Sequence, residues 1–134
     1  MLIKPIPKPK KKRNQTIGYW SRKADRKLQE LAREMYNGCF IPGCKDPYSC
    51  VHHFVRKSQS TLLRYNWLNL IPICAKHHGS HHSYGDSTVH AEIQKEKGEA
   101  WIEEILSIKR KGIGMSAGYT YYREMYNKLN KCSN

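Results

Sequence analysis

Between Cys39 and His82 the chain concentrates four of its five cysteines and six of its seven histidines. Three runs carry them: CFIPGC, SCVHHFVRKS and NWLNLIPICAKHHGSHH. Metal-binding side chains at metal-ligand spacings constrain a fold more tightly than any hydrophobic pattern, because one ion ties several chain positions together. Four residues separate Cys39 from Cys44, and two separate Cys74 from His77. Two close pairs held apart in sequence are how a tetrahedral zinc staples a loop. The stretch between the pairs is longer than in a simple zinc ribbon, so another element lies there. Pro42-Gly43 predicts a tight turn that brings Cys39 and Cys44 together. The plainer reading is a set of unrelated buried cysteines. Cys50 fits neither pair and reads as a small buried residue, with displacement of Cys44 as ligand the alternative. Cys132 reads as a free, exposed thiol.

A second ion is suggested by the histidines. On a helix, His78 and His82 stand at i and i+4 and project from one face, while His77 and His81 are turned about 100° away. If His77 serves the staple, His78 and His82 are available to a different ion. His52 or His53 on the preceding strand is the natural third ligand. Three imidazoles leave open positions for water and a phosphate oxygen. Adjacent strand residues point to opposite faces, so His52 and His53 reach one site only if the strand ends or bulges there.

A chain of 134 residues with 39% hydrophobic residues predicts one domain with a small core, in which a structural metal adds needed stability. The formal charge of +13 calls for a polyanionic partner, and nucleic acid is the commonest. The N-terminal run explains only part of that charge, since Lys4 to Arg13 holds six of the 24 basic residues. Residues 1–17, rich in proline and lysine, read as a disordered basic arm lying along phosphates. The lysine run is also a weak match to a nuclear address. Met1-Leu2-Ile3 runs at once into lysine and proline, unlike a signal peptide, and no segment reaches transmembrane length. Five cysteines without a disulfide-like layout complete the expectation of a reduced, intracellular, cytoplasmic protein with no membrane partner.

The pattern predicts a helix over 20–37, capped by Ser21, with an apolar stripe of Ala24, Leu28, Leu31 and Met35, and stopped by Gly38 in the left-handed conformation. That stripe is expected to pack on the zinc region, and the Arg/Lys face reads as solvated surface. SCVHHFV (49–55) reads as a strand, 56–66 as a basic loop, 68–73 as a second strand and 75–82 as a short helix. Residues 87–111 are helical with a break at Gly98, and 119–131 form a last amphipathic helix. Its tyrosines could stack on bases, but packing onto the domain is the favoured role.

The order His52-His53, then Asn69, then Cys74-x-x-His77-His78-x-x-x-His82 resembles the HNH (His-Me finger) endonucleases. NLIPIC before the final pair, the leading helix and the cysteine pair are similar to small phage or prophage members, of the NinG and Ref recombination-nuclease type. The resemblance covers roughly residues 20–110. It implies a small α+β fold with a ββα-metal core and a structural zinc, flanked by N- and C-terminal helices. On this reading 18–112 is the nuclease domain and 113–134 a C-terminal helical extension.

The resemblance also implies roles. His53 corresponds to the general base and His52, His78 and His82 to ligands of one catalytic divalent metal, Mg²⁺, Mn²⁺ or another transition metal. Asn69 corresponds to a residue that steadies the catalytic loop or, in some members, binds the metal. Cys39, Cys44, Cys74 and His77 correspond to the structural Zn²⁺ set. His77 stands where many relatives have cysteine, and His81 competes with His82 as the second helix ligand. Hydrolysis would leave a 5′ phosphate and a 3′ hydroxyl. Arg56, Lys57, Arg64 and Lys76 are candidate phosphate clamps. DNA is the expected partner, cut with low sequence specificity or by its structure, in a bacterial host cell if the chain is phage-encoded. The competing reading is a zinc-stapled basic module that holds DNA without cutting it. That module gives no purpose to His52, His53, Asn69 or the His78/His82 pair. A third class, a redox or zinc sensor, rests only on the odd thiol count.

Overall fold

The structure, a computed structural model, describes residues 3–7, 15–83 (side chains to 79) and 87–132 (side chains from 88). Of the basic arm expected over 1–17, residues 1–2 and 8–14 lie outside them, and Ile17 already belongs to the first helix. The described chain is a small α+β fold of five helices and one two-stranded antiparallel sheet. Helix α1 spans Ile17–Met35, strand β1 Cys50–His53, strand β2 Leu70–Ile73, α2 Ala75–Ser83, α3 Ser87–Lys97, α4 Glu99–Lys111 and α5 Tyr119–Lys131. No described helix is long and apolar enough to cross a membrane.

The strands pair Cys50 with Ile73, Val51 with Pro72, His52 with Ile71 and His53 with Leu70. Alternation along a strand divides the core in two. On one face Ile71 and Ile73 join Val89, Ile93, Trp101 and Ile105 of α3 and α4. On the other, Val51 and Leu70 join Ala24, Leu28, Leu31 and Ala32 of α1 and Leu129 of α5. The sheet is thus buried on both sides, which is how two four-residue strands of a chain this short persist.

Several local expectations change. Helix α1 begins earlier, because Thr16, not Ser21, is its cap: Thr16 Oγ1 accepts from the Tyr19 amide at 3.1 Å. Ser21 lies inside the helix and donates to the Gly18 carbonyl. The helix also ends earlier, at Met35, and Gly38 does not have a positive φ; the chain leaves through Tyr36 in extended conformation. The stripe packs on α5 and β1 rather than on the zinc region, Trp20 and Ala32 belong to it, and Met35 is exposed. The second strand is shorter than expected because Trp67–Asn69 form a 3-10 turn ahead of it. The helix break at Gly98 is present, at φ 87°, a conformation that favours glycine. Helix α5 matches its expected span, and its Tyr121, Tyr122, Met125 and Tyr126 pack against the α1 side of the core.

Candidate metal centre and histidine groove

Cys39, Cys44, Cys74 and His77 come together, with ligand atoms all within 4.8 Å of one another. Tetrahedral zinc with bonds of about 2.3 Å to sulfur and about 2.0 Å to nitrogen requires ligand-to-ligand edges of about 3.8 Å between sulfurs and about 3.5 Å between sulfur and nitrogen. The Cys44 and Cys74 sulfurs are 3.9 Å apart, and Cys39 Sγ is 3.5 Å from His77 Nδ1. Cys74 Sγ to His77 Nδ1 is 3.1 Å. The cluster could hold a structural metal such as zinc.

Local chemistry builds each half of it. The turn between the first two cysteines places Gly43 at φ 76°, and the Cys44 amide donates to the Ile41 carbonyl at 3.1 Å. The Phe40 and Ser49 amides donate to the Pro72 and Ile73 carbonyls, tying this loop to β2. Cys74 follows β2 directly, and the first turn of α2 presents His77 beside it. Burial pushes the Cys39 thiol up to about 11. Burial also raises Cys74, but the His77 and Lys76 amides and the Cys39 and Cys44 thiols outweigh it and leave Cys74 below its ordinary value. A coordinating divalent ion deprotonates thiols outright. Cys50 stands outside the cluster, half-buried against the α3/α4 core, and Cys44 holds its place in the set. All five cysteines are free thiols, and Cys132 is exposed.

The second constellation borders a groove of 660 Å³ along the outer edge of β1, lined by Gln29 and by residues of β1, the loop after it, and α2. His52, His53 and His78 all line it. His52 is buried, and its ring centroid is 6.2 Å from that of His78. Two imidazoles sharing one ion stand about 5–6 Å apart by the Zn–N bond length and ring size. His52 and His53 leave opposite faces of β1, as strand geometry demands. They border one groove because His53 is the last residue of the strand and the groove follows its edge.

His53 Nε2 lies 2.8 Å from the Arg64 carbonyl oxygen. A carbonyl only accepts, so Nε2 carries the ring proton and the lone pair is left at Nδ1. Burial, with a smaller push from Lys57, holds the His53 pKa below 6.5 despite the Arg64 carbonyl. The loop that presents this carbonyl is anchored by Asn69, which is fully buried. Its Oδ1 accepts from the Val55 amide at 2.7 Å, and its Nδ2 donates to the Val55 and Leu63 carbonyls at 2.9 and 3.1 Å. Asn69 therefore spans both ends of the 56–66 loop.

The expected phosphate clamps separate. Arg56 and Lys57 are exposed and line the groove. Arg64 turns inward instead: its guanidinium pairs with Asp25 at 2.7 Å and 3.2 Å and donates to the Tyr122 hydroxyl at 3.3 Å. It has no free charge for a phosphate. Lys76 is exposed but lines a different depression, beside Tyr48 and Cys74. The side chains of His81 and His82 lie outside the described residues, so the choice between them is not drawn from the structure.

Two residues to which the sequence reading gave no part in the site shape it. Gln29 of α1 accepts from the Val51 amide at 3.1 Å and donates to the Val51 carbonyl at 3.2 Å, satisfying the outer edge of β1. Asp25, also on α1, gathers Arg64, Lys57 and the Tyr65 hydroxyl. Neither carried a signal in the sequence beyond lying on a polar helix face. Comparisons with protein-family models, curated proteins and solved structures return no match.

Proposed function

We propose that this chain is a metal-dependent endonuclease of the ββα-metal kind, hydrolysing DNA phosphodiester bonds in the groove along β1. One observation carries the reading: His52, His53 and His78 border one groove, with His53 held by the Arg64 carbonyl so that a lone pair remains at Nδ1. The succession β1, β2, α2 is the order that the HNH resemblance implies, and it supports the same reading.

In this proposal neutral His53 takes a proton from the attacking water at Nδ1 and keeps its orientation through Nε2. His52, His78 and His82 would hold a divalent ion, whose chemistry is charge stabilisation at the scissile phosphate and leaving oxygen. Asn69 positions rather than ligates, since its amide is already spent on Val55 and Leu63. Arg56 and Lys57 offer cations to the phosphates on either side of the cut.

The test is nicking of supercoiled plasmid by the full chain with Mg²⁺, Mn²⁺, Ni²⁺ or Zn²⁺ added, beside His53→Ala. Metal-dependent nicking by the wild type and its loss in the variant are expected. Salt-sensitive DNA binding with no cutting under any ion would replace this reading with the zinc-stapled binding module.

A further inference from the structure

Helix α1 carries five basic side chains, Arg22, Lys23, Arg26, Lys27 and Arg33, together with acidic ones, and their internal pairing is uneven. Lys23 sits over the rings of Tyr19, Trp20 and Tyr126. Lys27 pairs with Glu30 at 3.5 Å. Asp25 is taken up by Arg64 and Lys57. Arg26 and Arg33 are exposed and form no ion pair among the described residues. Seven residues apart on a helix, they share a face about 10 Å apart along its axis.

Both line a second depression, of 360 Å³, between α1 and the loop after β1. This depression shares Gln29, His53 and Lys57 with the histidine groove, so the two are continuous at His53. The carboxylates that border it, Asp25 and Glu30, already have cationic partners. What it presents outward is therefore the unpaired charge of Arg26 and Arg33. Unpaired guanidiniums converging on one open channel favour an anion with repeated charges, and a planar fork suits phosphate oxygens.

We infer that α1 forms a phosphate track, in which Arg26 and Arg33 hold the nucleic-acid backbone that runs on from the groove at His53. The inference departs from the expectation of a merely solvated helix face on two observations: Arg26 and Arg33 border a channel, and neither forms an ion pair among the described residues. The inference rests on the nuclease reading for where the cut falls, but the track itself is a binding surface and is measured without cleavage.

The experiment is fluorescence anisotropy of a labelled DNA duplex with the full chain, with no divalent ion added, across a salt series. Arg26→Gln with Arg33→Gln is compared with Arg110→Gln and Lys111→Gln, a pair on α4 that makes the same change in net charge. The track variant is expected to bind at least tenfold more weakly, with its log Kd against log salt slope reduced by about 1.8 for two lost phosphate contacts. The α4 variant is expected to stay within twofold, and Arg26→Lys with Arg33→Lys to keep the wild-type slope. Equal weakening by the track and α4 variants, or no weakening by the track variant, would overturn the inference. Weakened binding by the track variant alone, together with a wild type that never cuts, would uphold the track and remove the nuclease reading.

Discussion

The Nε2 atom of His53 lies 2.8 Å from the Arg64 carbonyl, and the Arg64 side chain is gripped by Asp25 of α1 and Tyr122 of α5. Two helices outside the strand pair thus bear on the histidine ring through one residue. The backbone of Arg64 sets the ring and its side chain fixes the backbone.

Asp25 should make this arrangement acid-sensitive. Burial raises its pKa, but the hydrogen bonds and charge of Arg64, with the Tyr65 hydroxyl and Lys57, outweigh burial and hold it below 3.8. A carboxylate depressed in the folded state contributes stability that is fully present above its unfolded pKa and lost as pH falls through the folded value. Wild-type stability should therefore drop steeply once pH falls below about 3.8, the unfolded value. Asp25→Asn should lose about 2 kcal/mol at neutral pH and show a flatter acid limb. Thermal melts of both proteins from pH 7 to pH 2 check this, and parallel curves would rule it out.

Asn69→Ala removes three hydrogen bonds from a fully buried position and strands the Val55 amide and the Val55 and Leu63 carbonyls. The expected cost is about 3 kcal/mol. Asn69→Asp keeps the acceptor for the Val55 amide but sets an oxygen against two carbonyls, so it should be no better than alanine. Urea denaturation measures both; a fully stable aspartate variant would contradict the hydrogen-bond assignment.

The cysteine cluster predicts about one structural zinc per chain, from the one four-ligand set among the described residues. Cys39→Ser and Cys74→Ser should lose the metal and unfold or aggregate, because binding energy at a structural site is folding energy. Cys50→Ser and Cys132→Ser should retain it, since neither sulfur joins the cluster. Elemental analysis of the purified proteins alongside melting curves decides; unchanged metal in Cys74→Ser would refute the staple.

For the histidine groove, His53→Ala should cut cleavage by roughly 10²- to 10⁴-fold with fold and DNA affinity kept, the usual range for a lost general base. His78→Ala should instead raise the metal concentration needed for half-maximal nicking. A His53→Ala protein that cuts as well as wild type would show that the base lies elsewhere.

Much of this was legible from local pattern. The Pro42-Gly43 turn, the close spacing within Cys39/Cys44 and within Cys74/His77, the break at Gly98 and the span of α5 each depend on residues a few positions apart. Turn chemistry, ligand spacing and helical period are all short-range, and they survive any change in the surrounding packing. The cap at Thr16 was misjudged because serine and threonine score alike as caps, and only the start of the buried stripe at Trp20 separates them.

The remainder was decided by contacts between residues distant in the chain. Gln29 meets Val51, 22 positions away, and Asp25 meets Arg64, 39 positions away. Arg64 shows why this matters: in sequence it is one more cation in a basic loop, while in the fold it is half-buried and its charge belongs to Asp25. Whether a charge is free depends on which helix lands beside it, and that is set by how α1 and α5 bury their apolar stripes against the strand pair. Residue type and spacing therefore specify what chemistry the chain can offer at each position, while tertiary packing selects which of those groups remain open to a ligand.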